Sequence, residues 1–298
     1  MKCKYFFITL FIMLLFSETA HACTSFAVYS NQVFYGMNFD FMPLPIKFLI
    51  AVNGDIRAFH LAFERTIGDM KFFANTAGMN SEGLFSSCQE LQPENDNPPD
   101  KTDKNIFTFE LYESIAACRS ADEIKRKGQK SPVIDMPGIT LHTLFADKNG
   151  RAFTAEAGDP DTIFTEKEGD FIVMTNFSNN SMAGKSYKEA RGTGADRYIL
   201  SHEFLQEHAS DFNVDKGFQL LSMCCNKDPQ YPTQCSMIFD PQKGEVYIAL
   251  ERDFHKILRL SLKNATIEPF KGYEKEGAVS ISEGVAGILA EDLKLQFN

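Results

Sequence analysis

The chain has 298 residues, 44% of them hydrophobic, with a formal net charge of -10 at pH 7. That length suits one large domain or two small ones, and core size is no obstacle to folding. The acidic balance, with no Lys/Arg-rich block after the first residues, argues against nucleic acid or an anionic membrane surface as partner.

The chain opens with Lys2 and Lys4, an apolar run from Tyr5 to Phe16, and Ala20-His21-Ala22. A short basic start, an apolar middle and a small-residue Ala-x-Ala end read as a secretory signal peptide over 1–22, too short for a comfortable membrane span. The expectation is a secreted or periplasmic protein whose mature chain, residues 23–298, forms one domain and keeps no membrane anchor. Cleavage after Ala22 makes Cys23 the first residue, so one amino acid carries both a soft nucleophile and a free amine. The reference pKa values, roughly 7.7–8.0 for the amine and about 8.5 for the thiol, make proton transfer between them nearly balanced, and no histidine is required. Two other readings of Cys23 stand beside this one. It is a structural cysteine at a strand end, or the acylated cysteine of a lipoprotein, for which Ala20 and His21 are poor neighbours.

Of seven cysteines, Cys3 leaves with the leader. The five besides Cys23 are Cys88, Cys118, Cys224, Cys225 and Cys235. An odd remainder leaves a further free thiol or an intermolecular bond, and a link from Cys224 or Cys225 to Cys235 stays open. No spacing suits zinc, so neither metal nor cofactor is expected.

Thr24 to Tyr29 and Val33 to Gly36, around Ser30-Asn31-Gln32, read as a hairpin led by the nucleophile. Asp40 follows the second strand, where a carboxylate can hold the Cys23 amine or thiol; a turn aspartate before Pro43 is the plainer alternative. Phe48 to Val52 and Ile56 to Phe63 form a hairpin across Asn53-Gly54-Asp55, and Lys71 to Asn75 is a further short strand. Thr76 to Leu84 reads as a turn-rich loop in which Asn80 offers an amide donor to a developing oxyanion, or simply a turn side chain. Gln89 to Asp103 is a polar surface loop.

Phe107, Leu111, Ile115 and Cys118 fall at helical spacing, and Ala121 to Lys127 continues as a second helix. Thr140 to Ala146, Ala152 to Ala157, Thr162 to Thr165 and Phe171 to Thr175 predict a four-strand meander. Asn176 stands just past its end, placed either to present its amide to a site at the sheet edge or to cap a turn. The segments starting at Asn176, Asn179 and Asn264 also match glycosylation sequons, relevant only in a eukaryotic host. Helices over Gly194 to His208, carrying Arg197, and over Val214 to Cys225 come next. Strands over Thr233 to Phe239, Glu245 to Glu251 and Lys256 to Leu260 complete the pattern. Antiparallel strands with helices in two groups predict an α+β fold, a four-layer αββα sandwich of two sheets.

Cys23-Thr24-Ser25, Gly36-x-Asn38-x-Asp40, Gly78-Met79-Asn80-x-x-Gly83-Leu84, Leu141-His142 and Thr175-Asn176 together resemble the choloylglycine hydrolase family, which holds bile salt hydrolases and penicillin V acylases among the N-terminal-nucleophile (Ntn) hydrolases. The resemblance implies that Cys23 is the nucleophile with its own amine as base, and that Asp40 positions the amine. It also implies that Asn80 by its backbone and Asn176 by its side chain serve the oxyanion and the nucleophile, and that Arg197 is the late active-site arginine. Where the family places an arginine after the turn glycine this chain has Met37, so electrostatic support would have to come from Arg57, Arg191 or Arg197.

The implied reaction is thiolate attack on a linear amide, an acyl-thioester, and hydrolysis by water activated by the same amine. The partner is then a small-molecule N-acyl amide, and a homo-oligomer is compatible with the sequence. With 28 phenylalanines and no charged cluster marking a head-group pocket, an apolar acyl group is favoured. Penicillin V, bile conjugates, N-acyl homoserine lactones and N-acyl amino acids all fit. A lipid-anchored binding protein and a catalytically impaired secreted family member are the competing readings.

Overall fold

The computed structural model describes residues 23–67 and 69–297; the expected leader, 1–22, lies outside them. Among these residues the strands make two eight-stranded antiparallel sheets and one small parallel pair. β1 (Thr24–Tyr29) and β2 (Val33–Asp40) pair as the expected hairpin, with Ser25 opposite Met37 and Phe26 opposite Gly36. All eight residues of β2 are buried. A strand with both faces covered loses the apolar–polar alternation of a half-exposed one, which is why Val33 to Met37 read as a continuous apolar run before the buried polar Asn38 and Asp40.

β3 (Ile46–Asn53) and β4 (Ile56–Ile67) form the second hairpin, followed by β5 (Met70–Asn80) and β6 (Phe85–Glu90). The segment expected to be a loop over Thr76–Leu84 is strand as far as Asn80. Gly78 explains this: it lies so close to β4 that a Cβ there would stand 2.2 Å from the Phe59 carbonyl oxygen, so its glycine marks tight strand approach and not a turn. β6 was not anticipated. It takes the first two residues of the expected Gln89–Asp103 loop into the sheet.

After β7 (Ile106–Phe107), the expected helix is split into α1 (Thr108–Tyr112) and a 3-10 turn, Glu113–Ala116. The carbonyls of Ile115 and Cys118 accept from the Asn80 side-chain amide, 2.8 Å each, which ends the helix there. α2 (Ala121–Lys130) is capped by the Ser120 hydroxyl. Then come β8 (Val133–Ile134), β9 (Leu141–Ala146), β10 (Ala152–Glu156), β11 (Ile163–Glu166) and β12 (Phe171–Met174). Only β9 to β11 form the expected meander. β12 crosses to the other sheet and pairs with β1, Ser25 opposite Met174, which brings the residue after it to the head of β1.

α3 (Ala195–His208) and α4 (Val214–Met223) match expectation, as do β13 (Thr233–Asp240), β14 (Glu245–Leu250) and β15 (Ile257–Ser261). β16 (Thr266–Lys271), β17 (Val279–Ser280), β18 (Gly284–Leu289) and α5 (Ala290–Phe297) complete the described chain and were not anticipated. The strand order is β12-β1-β2-β13-β14-β15-β16-β17 in one sheet and β11-β10-β9-β6-β5-β4-β3-β18 in the other.

The sheets stack over a shared apolar interior that includes Tyr35, Met37, Phe39, Phe59, Phe85, Met237 and Phe239. α3 and α4 cover the outside of the first sheet through Phe204, Leu205, Leu220 and Leu221, packed with Phe26 and Phe34. Leu111 and Ile115, from α1 and the 3-10 turn, and Ile124 of α2 cover the outside of the second, against Phe145 and Phe153. The result is the four-layer αββα arrangement predicted. Its six described cysteines are all free thiols, so neither Cys224 nor Cys225 is joined to Cys235. No helix among the described residues is long and apolar enough to cross a membrane.

Candidate active site

The pairing of β1 with both β12 and β2 gathers four of the five expected site residues at one end of the first sheet. Cys23 is only 6% exposed, and its side chain belongs to the interior between the sheets. Its Sγ lies 3.6 Å from the Asp40 backbone carbonyl, to which the thiol donates. Burial pushes the thiol far above its ordinary value. The Asp40 charge adds to this and Glu90 contributes, while the bond to the Asp40 carbonyl and the Arg197 charge pull it down. As a plain buried cysteine, Cys23 is a poor thiolate.

Asp40, the last residue of β2, is fully buried. One carboxylate oxygen, Oδ1, accepts from the Thr233 hydroxyl; the other, Oδ2, is buried with no hydrogen-bond partner among the described residues. Burial pushes this carboxyl up to about 7 against the pull of Arg197, Thr233 and Arg252. A buried carboxylate oxygen without a donor is costly.

Asn176 directs its amide nitrogen to the Glu90 carbonyl, 2.9 Å, and its amide oxygen accepts from Arg197 Nη2, 3.0 Å. Arg197 Nη1 donates to the Cys23 carbonyl and, at 2.7 Å, to the Thr24 hydroxyl. One guanidinium therefore grips the head of β1 and the Asn176 amide together, which a planar fork of donors can do and a single ammonium cannot. Gly194 makes this approach possible. It caps α3 at φ +80°, and a Cβ on it would stand 2.5 Å from Arg197 Nη2 and 2.9 Å from Thr175 Cβ.

Asn80 is not part of this group, and the oxyanion role expected of it is corrected. Its side chain projects from the outer face of the second sheet, donating to the Ile115 and Cys118 carbonyls and accepting from the Glu82 and Leu84 amides. Its own backbone N–H is bonded to Leu84. The site end of β6, at Glu90, lies five strand residues beyond Phe85, the neighbour of Met79, a separation on the order of 15 Å. The residues that meet the site from this part of the chain are instead Glu90, through Asn176, and Gln89, whose amide donates to the Ser25 hydroxyl. Sequence reasoning missed both by ending the structured segment at Leu84. The signal was there in Phe85, Ser87 and Gln89, every second residue of a strand, which share the inner face.

Met37 is fully buried between Ser25 and Met237 and brings no charge to the thiol. Arg57 pairs with Glu283 and the Lys263 carbonyl, and Arg191 donates to the carbonyls of Lys188 and Ala190, so of the three compensating arginines considered only Arg197 reaches Cys23. Among the described residues no cluster of three or more His, Cys, Asp or Glu side chains could hold a metal ion.

No family model matches the chain, and no curated protein matches it in sequence. Solved structures do match it in fold. A variant of conjugated bile acid hydrolase from Clostridium perfringens superposes with a TM-score of 0.59 at 16% identity, over 87% of this chain and 99% of that one. A second variant of the same enzyme gives 0.58 at 16%, over 84% and 96%. Penicillin V acylase from Agrobacterium tumefaciens gives 0.58 at 15%, over 89% and 95%. The sandwich therefore has the fold of these enzymes, spanning nearly the whole length of each.

Proposed function

We propose that this chain is a secreted or periplasmic hydrolase of linear amides, single-domain over residues 23–298, with Cys23 as its N-terminal nucleophile once residues 1–22 are removed. The observation that carries the reading is the Asp40 carboxylate: its charge acts on the Cys23 thiol, and one of its oxygens, Oδ2, is buried without a hydrogen-bond partner among the described residues. In the uncut chain the Cys23 nitrogen is an amide; removal of the leader turns it into a primary amine, whose N–H groups can supply the donor that oxygen lacks. Once the amine has taken the thiol proton, the resulting ammonium puts positive charge next to a thiolate that burial otherwise disfavours.

In this mechanism the α-amine takes the thiol proton and the sulfur attacks the amide carbonyl. The developing oxyanion is met by the Asn176 amide nitrogen, held in that orientation by Arg197. The amine returns a proton to the leaving nitrogen and then activates water against the thioester. Conjugated bile acids and penicillin V, named for the fold neighbours, are the first substrates to try, with other N-acyl amides of apolar acyl groups. The interior around Cys23 is apolar, with Met37, Phe39 and Phe41 among its buried members, which suits such an acyl group.

The test is intact mass of the exported protein, followed by a panel of acyl amides. A chain starting at Cys23 that cleaves at least one amide, and loses activity on alkylation or in Cys23→Ser, supports the reading. A chain starting elsewhere, a diacylglycerol adduct on Cys23, or cleavage that survives Cys23→Ser overturns it.

A further inference from the structure

Three buried polar side chains line up across the inner face of the second sheet. Gln89 on β6, His142 on β9 and Glu156 on β10 are successive cross-strand partners, with exposures of 2%, 0% and 3%. At one end of the row Gln89 donates to the Ser25 hydroxyl, which shares a 2.7 Å hydrogen bond with Ser87; Ser25 is two residues from the nucleophile. At the other end the Glu156 carboxylate accepts from two consecutive residues of the turn after β12: the Ser178 hydroxyl and, at 2.8 Å, the Asn179 backbone N–H.

That turn carries Asn176. It is closed onto β12 by Asn179 Nδ2 donating to the Val173 carbonyl, 2.8 Å, and onto the second sheet by Gln92 N–H donating to the Asn176 carbonyl, 2.7 Å. Burying a carboxylate costs several kcal/mol unless its bonds are good, and an apolar side chain would fill the same space more cheaply. Burial alone would raise the Glu156 carboxyl, yet His142, whose Nδ1 is 3.9 Å away, together with Ser178 and the Asn179 N–H, holds it below its ordinary value. A charge kept in the interior at this cost, with both oxygens spent on one turn, gives that turn directional bonds that packing cannot.

We propose that Glu156, backed by His142, is a positioning residue: it fixes the turn through Ser178 and Asn179 so that the Asn176 amide stays aimed at the Cys23 site. The role rests on the hydrolase reading above, and it has a readout independent of turnover.

The experiment uses the mature chain in four forms: wild type, Ser178→Ala, Glu156→Gln and Glu156→Ala. Backbone hydrogen exchange is followed at Gln92, the donor to the Asn176 carbonyl, with Ile238 of β13 as an internal control, and kcat and KM are measured on the best amide found. Loss of one hydrogen bond in Ser178→Ala should raise Gln92 exchange and lower kcat by about tenfold each, with KM unchanged and Ile238 unaffected. Glu156→Ala should do more, on the order of a hundredfold in kcat, and Glu156→Gln, which keeps an acceptor for Asn179, should recover most of the loss. A carboxylate that merely holds the sandwich together would lower the melting temperature while leaving kcat per folded molecule and Gln92 exchange unchanged, and that result overturns the proposal. Should Glu156→Ala fail to fold, Ser178→Ala decides alone. Should wild type cleave no amide, the Cys23 reading falls while Gln92 exchange still decides whether Glu156 fixes the turn.

Discussion

Arg197 Nη2 and the side-chain oxygen of Asn176 are 3.0 Å apart, and this contact, with the amide nitrogen donating to the Glu90 carbonyl, decides which way round the amide is held. An asparagine side chain can present either its oxygen or its nitrogen; pinning the oxygen to a guanidinium leaves the nitrogen as the donor. The same guanidinium holds the carbonyl of Cys23. Arg197→Lys keeps the charge and loses the fork, and we expect kcat to fall at least about tenfold with KM within about threefold. Arg197→Met should cost about 100-fold or more, the scale of losing an oxyanion donor. Steady-state kinetics on the best amide checks both, and an unchanged kcat in Arg197→Met would remove Arg197 from the site.

Asp40 gives the uncut chain a distinctive pH dependence. Its carboxyl is pushed up to about 7 in the fold from an ordinary 3.8, so between those values the folded state keeps a proton that the unfolded state has released. Stability of the uncut chain should therefore fall as pH rises from about 4 to 7, by about 4 kcal/mol in total from this group. In a chain that begins at Cys23, as proposed, an ammonium near the carboxyl should lower the Asp40 pKa, and the fall should largely vanish. Urea midpoints of uncut, mature and Asp40→Asn chains across that range make the comparison; equal slopes for uncut and mature protein would place the Cys23 nitrogen away from Asp40.

His60 acts in the opposite pH sense. It is fully buried against Tyr112, whose hydroxyl is 3.1 Å from Nδ1, and burial lowers its pKa to about 4 from 6.5. The folded state refuses a proton that the unfolded state accepts, so stability is lost as pH falls from about 6.5 towards 4, by about 3 kcal/mol. His60→Phe should show a lower baseline stability and a shallower acid limb in the same urea titration.

Gly78 has no room for a methyl group. A Cβ there would stand 2.2 Å from a backbone oxygen, Phe59 O, which cannot move aside without unpairing β4 from β5. Gly78→Ala should destabilise by about 3 kcal/mol or more, or leave no soluble folded protein, as seen by thermal unfolding.

Much of the architecture was legible because its strands are short, apolar and separated by turn residues; the Cys23–Gly36 hairpin and the helix carrying Arg197 fall where periodicity puts them. The grouping of Cys23 with Asp40 was legible because a cysteine at the head of one hairpin strand lies by the end of the other. Asn80 misled because a Gly-Met-Asn run looks alike whether it turns or lies in a tightly packed strand; only the distance from Gly78 to Phe59 separates the two. Glu156 was invisible for another reason. Its partners Ser178 and Asn179 are more than twenty residues away, brought near by β12 leaving the meander for the other sheet, a choice that no local pattern encodes.

β1 lies between β12 and β2, hydrogen-bonded on both sides, and the full-length chain already holds Cys23, Asp40, Asn176 and Arg197 in place. Under the proposed mechanism, scission of the leader then alters the chemistry of a single nitrogen and asks no strand to rearrange. Onset of activity would be as abrupt and as irreversible as the cut itself. The precursor would be a loaded but silent form, dormant for want of one proton acceptor.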